Sequence, residues 1–166
     1  MSIMARMQSA GILLFRVKDE RLQVLLAHPG GPFWVGKDEG AWSIPKGMFD
    51  NDEEPLQAAK RELFEETGII AEGEFIDLGS IRLPSRKIVH IWAIKSDWNE
   101  MMITSNNFCL EWPKGSGIQR EYPEIDRVEW FDVEAARKKI VKGQAGFIDR
   151  LAKIAEPGSG LISEPS

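Results

Sequence analysis

The chain has 166 residues, 43% of them hydrophobic and 28% charged, which is the composition of one ordinary globular domain rather than of a disordered or membrane-embedded chain. A formal net charge of −5 and an isoelectric point near 5.2 argue against affinity for a long nucleic-acid backbone. No stretch approaches the ~18 apolar residues of a membrane span, and the lone Cys109 excludes an internal disulfide, so a buried thiol in a reducing cytoplasm is expected.

In chain order, SAGILLFRV (residues 9–17) reads as a buried strand and LQVLLAHP as its hairpin partner after a KDER turn. PGGPFWVGKDEG is rich in Gly and Pro and predicts a surface loop, followed by a short strand around WSIP. Pro55 suits the first turn of a helix and Gly68 its left-handed end, which places a helix over residues 54–67. EFIDLGSIRL and KIVHIWAIK predict two more strands joined by a turn near PSRK, with Trp42, Trp92 and Trp130 expected in the core. Residues 96–127 lack periodicity and predict a long loop. VEWFD reads as a last strand, and VEAARKKI and AGFIDRLAKIA as amphipathic helices. The domain is placed at residues 1–155 and a flexible tail at 156–166. Strands before and after one central helix predict an α/β architecture, a mixed sheet flanked by helices.

The central helix carries too much negative charge for its own good. At about 100° per residue, Glu62, Glu65 and Glu66 share one arc, while Leu56, Ala59 and Leu63 share another. Like charges at i,i+4, such as Glu62 and Glu66, destabilise a helix by roughly 0.2–0.5 kcal/mol, and these sit near its negative end. A solvated acid face, partly neutralised by Arg61, is the plain explanation. The alternative is a hard divalent cation, for which three convergent carboxylates make a site that leaves positions open for phosphate and water.

The spacing decides between them. Gly47, five residues, Glu53, seven residues, Arg61-Glu62-Leu63, one residue, Glu65-Glu66, one residue, Gly68-Ile69 resembles the complete signature of the Nudix hydrolases. The signature spans 23 residues, Gly47 to Ile69, and the order of elements around it is compatible with the Nudix α/β/α sandwich over most of the chain. The resemblance implies that Glu62, Glu65 and Glu66 bind the metal, with the carbonyl of Gly47 as a further oxygen ligand and with Glu53 and Arg61 in support. It also implies Mg²⁺ as cofactor, with Mn²⁺ as a substitute, and a small nucleotide substrate of the form nucleoside diphosphate linked to another group. A monomer and a homodimer are both compatible with this. Many members carry glycines where this chain has Met48 and Asp52; Asn51 and Asp52 tolerate left-handed conformations better than most residues, so the loop is still expected to turn.

Such a site fits hydrolysis of a phosphoanhydride, with the general base drawn from Glu62, Glu111, Glu121 or Glu124. The adjoining WSIPKG resembles the stretch found in Nudix enzymes of diadenosine polyphosphates and inositol polyphosphates, and it places Lys46 where an ammonium meets substrate phosphates. Diadenosine polyphosphates and nucleoside triphosphates are the expected substrates. A catalytically silent module that senses a nucleotide is the alternative, against which stands the intact set of carboxylates.

Weaker signals lie outside the signature. Gly31 to Asp38, GPFWVGKD, nearly spells a phosphate-binding P-loop, but Asp38 replaces the required hydroxyl and no amphipathic helix follows. Phe33 and Trp34 are candidates to stack on a purine, with loop packing as the alternative. Glu111, Trp112 and Lys114 bring a carboxylate, a ring and a cation into four residues and are candidate substrate contacts. Arg82, Arg86, Lys87 and Arg120 are candidate phosphate contacts, while His28 and His90, with no second histidine at ligand spacing, read as structural.

Overall fold

The structure, a computed structural model, describes residues 8–50, 52–98 and 105–155; Asn51 and the tail expected over 156–166 lie outside the described residues. The first hairpin forms as its pattern dictates. Strand β1 (Gln8–Lys18) and strand β2 (Arg21–Pro29) pair antiparallel, with Lys18 opposite Arg21. Asp19 and Glu20, at φ 53° and 64°, form the two-residue turn, whose left-handed backbone matches the twist of the flanking strands.

The segment around WSIP forms only isolated bridges, Ser43 to Ala27 and Trp42 to Ile140. Pro45 has no N–H to give to a ladder, and its carbonyl instead accepts from Ile12 N–H. The ladder resumes one residue later as strand β3 (Lys46–Met48), antiparallel to the start of β1, with Gly11 opposite Lys46 and Ala10 opposite Gly47. Gly11 has to be glycine there, because a Cβ would lie 2.4 Å from the Pro45 carbonyl oxygen.

Helix α1 (Pro55–Thr67) begins with Pro55 in its first turn and ends at Gly68, whose φ of 82° lets its N–H close on the Phe64 carbonyl. Strands β4 (Ile76–Arg82) and β5 (Ile88–Lys95) form the next hairpin, and β5 runs parallel to β1. The loop expected over 96–127 contains a second, separate sheet of two strands, β6 (Asn107–Glu111) and β7 (Gln119–Pro123). Phe108 and Leu110 alternate toward the protein while Asn107 and Cys109 face outward, so the cysteine is exposed rather than buried. Strand β8 (Ile125–Asp132) then pairs with β2, and helices α2 (Val133–Lys139) and α3 (Ala145–Ala155) complete the fold.

The main sheet runs in the order β4-β5-β1-β2-β8, with β3 sharing β1's edge with β2. β1 is apolar without alternation because both its faces are covered. Leu13 and Phe15 pack with Phe147, Ile148 and Leu151 of α3 on one side, and Ile12 and Leu14 pack with Ala58, Ala59 and Leu63 of α1 on the other. Trp42 is fully buried in the α3-side core, whereas Trp92 and Trp130 only flank the α1-side core. This is the three-layer α/β/α arrangement expected from the order of elements. Among the described residues no helix is long and apolar enough to cross a membrane.

Candidate active site

α1 lies over the β3 edge, and the closest approach is between Glu62 and Gly47. A Cβ on Gly47 would stand 2.0 Å from the Glu62 Cδ and 2.2 Å from both carboxylate oxygens, so the glycine leaves room for the carboxylate itself. One turn later Glu66 lies on the buried side of the helix, which the reading of an exposed acid arc does not anticipate.

Arg61 organises the outer carboxylates. Its Nε and one terminal nitrogen donate to the two oxygens of Glu53 at 2.7 and 2.9 Å, a forked contact across the loop that precedes the helix. Its other terminal nitrogen donates to Glu62 at 3.0 Å and to both Glu65 oxygens at 2.9 and 3.1 Å. The bond to Arg61 holds the Glu53 carboxyl below the usual range, and the same bond raises the guanidinium further above its own. The loop itself turns through Asp50, whose carboxylate accepts from Asp52 N–H at 3.0 Å. Met48, Phe49, Asp50, Glu53 and Arg61 line an open cavity of about 280 Å³ beside this array. A larger cavity, about 460 Å³, lies between Glu20 and Arg137 against the first turn of α2, away from these carboxylates.

The inner carboxylates are less well compensated. Burial first, and then the nearby Glu62 and Glu124, push Glu66 up to about 9, while Lys46 opposes them. Glu124 is also raised, first by burial and then by Glu62 and Glu65. Of the three candidate bases outside the helix, the fold thus brings Glu124 to the acid cluster. Two backbone bonds place it: Glu124 N–H donates to the Asn106 carbonyl, and Asn106 N–H donates to the Glu65 carbonyl of α1. Glu111 does not join them, because its carboxylate accepts from Gly115 and Gly117 N–H at the tip of the β6–β7 hairpin. Glu121 is exposed on β7, opposite Cys109. Lys46 is half-buried next to Gly47; desolvation lowers its pKa, an effect Glu66 opposes and Lys87 reinforces.

Among the described residues no group of three or more His, Cys, Asp or Glu side chains is arranged to enclose a metal ion as it stands. Arg61 occupies oxygens of Glu53, Glu62 and Glu65. The donor set nevertheless suits a hard divalent cation. Its ligands are carboxylate oxygens, and the buried Glu66 faces Glu62 and Glu124 with Lys46 as the opposing cation.

The remaining candidates make no side-chain hydrogen bond or ion pair with the carboxylates of α1 among the described residues, though the loop after β2 is tied to Glu124 through Gly30 N–H. Phe33 and Trp34 are exposed on the loop after β2, and Trp112 meets Phe33 edge to face at 5.0 Å. Lys114 is exposed at the hairpin tip, as is Arg120 on β7. Arg82, Arg86 and Lys87 cluster at the β4–β5 turn, where no carboxylate among the described residues pairs with them. His28 is buried, its ring nitrogens 3.0 Å from an Asp126 oxygen and 2.7 Å from the Lys37 carbonyl. His90 bridges Asp77 and Ser80 on the sheet edge. Glu124 and the Asn106 segment are the members of the site that spacing along the chain did not single out as a unit.

Comparison with known proteins agrees with this fold. The NUDIX domain model matches residues 5–151. An RNA pyrophosphohydrolase of Xanthomonas campestris is 27% identical over 156 residues, covering 86% of this chain and 73% of that protein. One from Stenotrophomonas maltophilia is 28% identical over 162 residues, covering 86% and 75%. Among solved structures, an Ap4A hydrolase of C. elegans superposes with a TM-score of 0.61 at 20% identity, over 87% of this chain and 95% of that one. The NUDIX domain of Shewanella oneidensis NrtR, solved with ADP ribose, gives 0.61 at 17% identity, over 90% and 88%. With the family model covering most of the chain and the carboxylates gathered on one helix, the protein belongs to the Nudix family and is an enzyme of its pyrophosphohydrolase kind.

Proposed function

We propose that the protein hydrolyses a phosphoanhydride bond of a nucleoside diphosphate linked to a further group, with a diadenosine polyphosphate or a nucleoside triphosphate as substrate and Mg²⁺ as cofactor. The observation that carries this reading is the buried Glu66 crowded by Glu62 and Glu124, a carboxyl cluster that a bound cation would allow to ionise. Glu62, Glu65 and Glu66, with the carbonyl of Gly47, are the residues to hold Mg²⁺ or Mn²⁺, which when bound neutralises phosphate oxygens and acidifies a ligated water.

The chain's own groups supply the rest. Arg61 and Glu53 fix the outer carboxylates through the forked contact. Lys46, half-buried beside Gly47, meets a substrate phosphate as a point charge. Glu124 takes the proton of the attacking water; its raised pKa brings it nearer the operating pH, where a base is most effective. The water oxygen bonds to phosphorus, the bridging P–O bond breaks, and the leaving phosphate departs with the electron pair.

A second reading, removal of pyrophosphate from the 5′ end of an RNA, is favoured by the relatives named RNA pyrophosphohydrolase and by Arg82, Arg86 and Lys87, which pair with no carboxylate among the described residues. One panel tests both. Diadenosine tetraphosphate, nucleoside triphosphates, nucleotide sugars and a 5′-triphosphorylated RNA oligonucleotide are incubated with Mg²⁺ or with EDTA. Turnover is expected only with Mg²⁺, and none on any substrate would point to a nucleotide sensor. Glu66→Gln is expected to lower kcat at least ~10²-fold, the scale for loss of a group that positions a metal or transition-state charge.

A further inference from the structure

Resting on the hydrolase reading above, we propose that Phe33, Trp34 and Trp112 form a preassembled seat for the nucleobase of the substrate. The loop after β2 displays Phe33 at 54% exposure, Trp34 at 37% and Val35 at 74%, which is a concentration of apolar surface that a soluble protein seldom leaves open without use. A slack loop would fold such rings inward.

This loop is pinned at both ends. Gly30 admits no side chain, since a Cβ would lie 2.0 Å from the Pro123 carbonyl oxygen, and Gly31, at φ +95°, abuts the Phe108 ring. Trp34 N–H donates to the Gly31 carbonyl and Lys37 N–H to the Trp34 carbonyl. At the far end the Lys37 carbonyl meets the buried His28, whose other ring nitrogen is held by Asp126. Facing the loop, the Glu111 carboxylate locks the hairpin tip through Gly115 and Gly117 and so fixes Trp112. The Phe33 and Trp112 rings cross at 75° with centroids 5.0 Å apart, and they present a face and an edge to a planar ligand. Rings held open before the ligand arrives bind it without an ordering cost.

The seat adjoins the acid cluster. Gly30 N–H donates to the carbonyl of Glu124, whose carboxylate faces Glu62 and Glu65, and Phe33 follows Gly30 by three residues, a reach of roughly 10 Å at most. A substrate whose phosphates lie at those carboxylates has its base on this side. Every base offers a π face, so the ligand class is the nucleobase in general rather than one base.

The test compares a ligand that has a base with one that lacks it. Binding of diadenosine tetraphosphate to the full chain in EDTA is followed by tryptophan fluorescence, with inorganic tripolyphosphate as the baseless ligand, and KM and kcat are measured in parallel with Mg²⁺. Phe33→Ala and Trp112→Ala are expected to weaken the dinucleotide roughly 5- to 100-fold, the range of base stacking, and to raise KM by a similar factor, with tripolyphosphate binding unchanged. Trp112→Phe should keep most of the affinity, and circular dichroism confirms that each variant is folded. Equal weakening of both ligands, or of neither, would overturn the seat. So would sedimentation showing a dimer that Phe33→Ala splits, because the rings would then belong to a contact between copies. Absence of turnover alone would refute the hydrolase reading and leave the fluorescence result to judge the seat.

Discussion

Glu66 is a carboxylate held where an anion is poorly tolerated. Its folded-state pKa, about 9, lies above the ordinary 4.5, so the neutral form is the one the fold favours. The stabilising contribution is therefore complete below pH ~4.5 and is lost as pH rises through about 9. In EDTA the melting temperature is expected to fall across that window, and Glu66→Gln, which keeps a neutral side chain throughout, should remove most of the slope. Saturating Mg²⁺ should raise the melting temperature of the parent protein more at pH 9 than at pH 6, because the ion competes with the proton for the same oxygens. A pH slope unchanged by the substitution would mean that another group carries the effect. At this scale much of the site was legible: Gly47, Glu53, Arg61 and the three glutamates follow from their spacing. Glu124 was one candidate among several. Its arrival depends on backbone bonds to Asn106 and Gly30, which join residues far apart in sequence and leave no mark on local pattern.

α1 shows why some elements announce themselves. Its start and stop rest on one Pro and one Gly, and a Cβ at residue 68 would force an L-residue to hold φ 82°. Gly68→Ala is accordingly expected to cost roughly 1 kcal/mol in urea unfolding, and a neutral result would mean the helix ends another way without loss. The central strands were legible for a similar reason, since long apolar runs between turn residues have few alternative readings. β6 and β7 carry no such signal. NFCLE and QREYP are five residues each, half polar, and form a ladder because Glu111 closes the turn between them and Phe108 packs toward the loop at Gly31. β3 is shorter still, and Lys46–Met48 counts as a strand only because β1 offers it an edge. Tertiary partners made these strands, so propensity along the chain did not reveal them.

In the whole molecule, Trp42 is the largest side chain of the α3-side core. Its ring packs edge-on against His28 and Phe131 at 5.0 and 4.9 Å, and its indole N–H donates to Asp38. Its backbone is tied on both sides to the end of α2, with the Trp42 N–H donating to Lys139 and the Trp42 carbonyl accepting from Val141. The segment leading to Gly47 is thus anchored to the far helices. Trp42→Ala is expected to destabilise the fold by ~3–5 kcal/mol, the range for emptying a large buried aromatic position, read as a drop in urea midpoint. A loss under ~1 kcal/mol would show that the core closes over the gap. The layout of β1 has a consequence for the order of assembly. β1 receives β2 and β3 on one edge and β5 on the other, so the platform under the acidic helix is complete only after a strand that begins at Ile88 has docked. On the ribosome, the signature segment emerges after β1 and β2 but before β5, so its platform stays one strand short until residue 95 is available. Amide exchange should accordingly protect Gly11 and Ile91 as a single cooperative unit and release Gly47 with them.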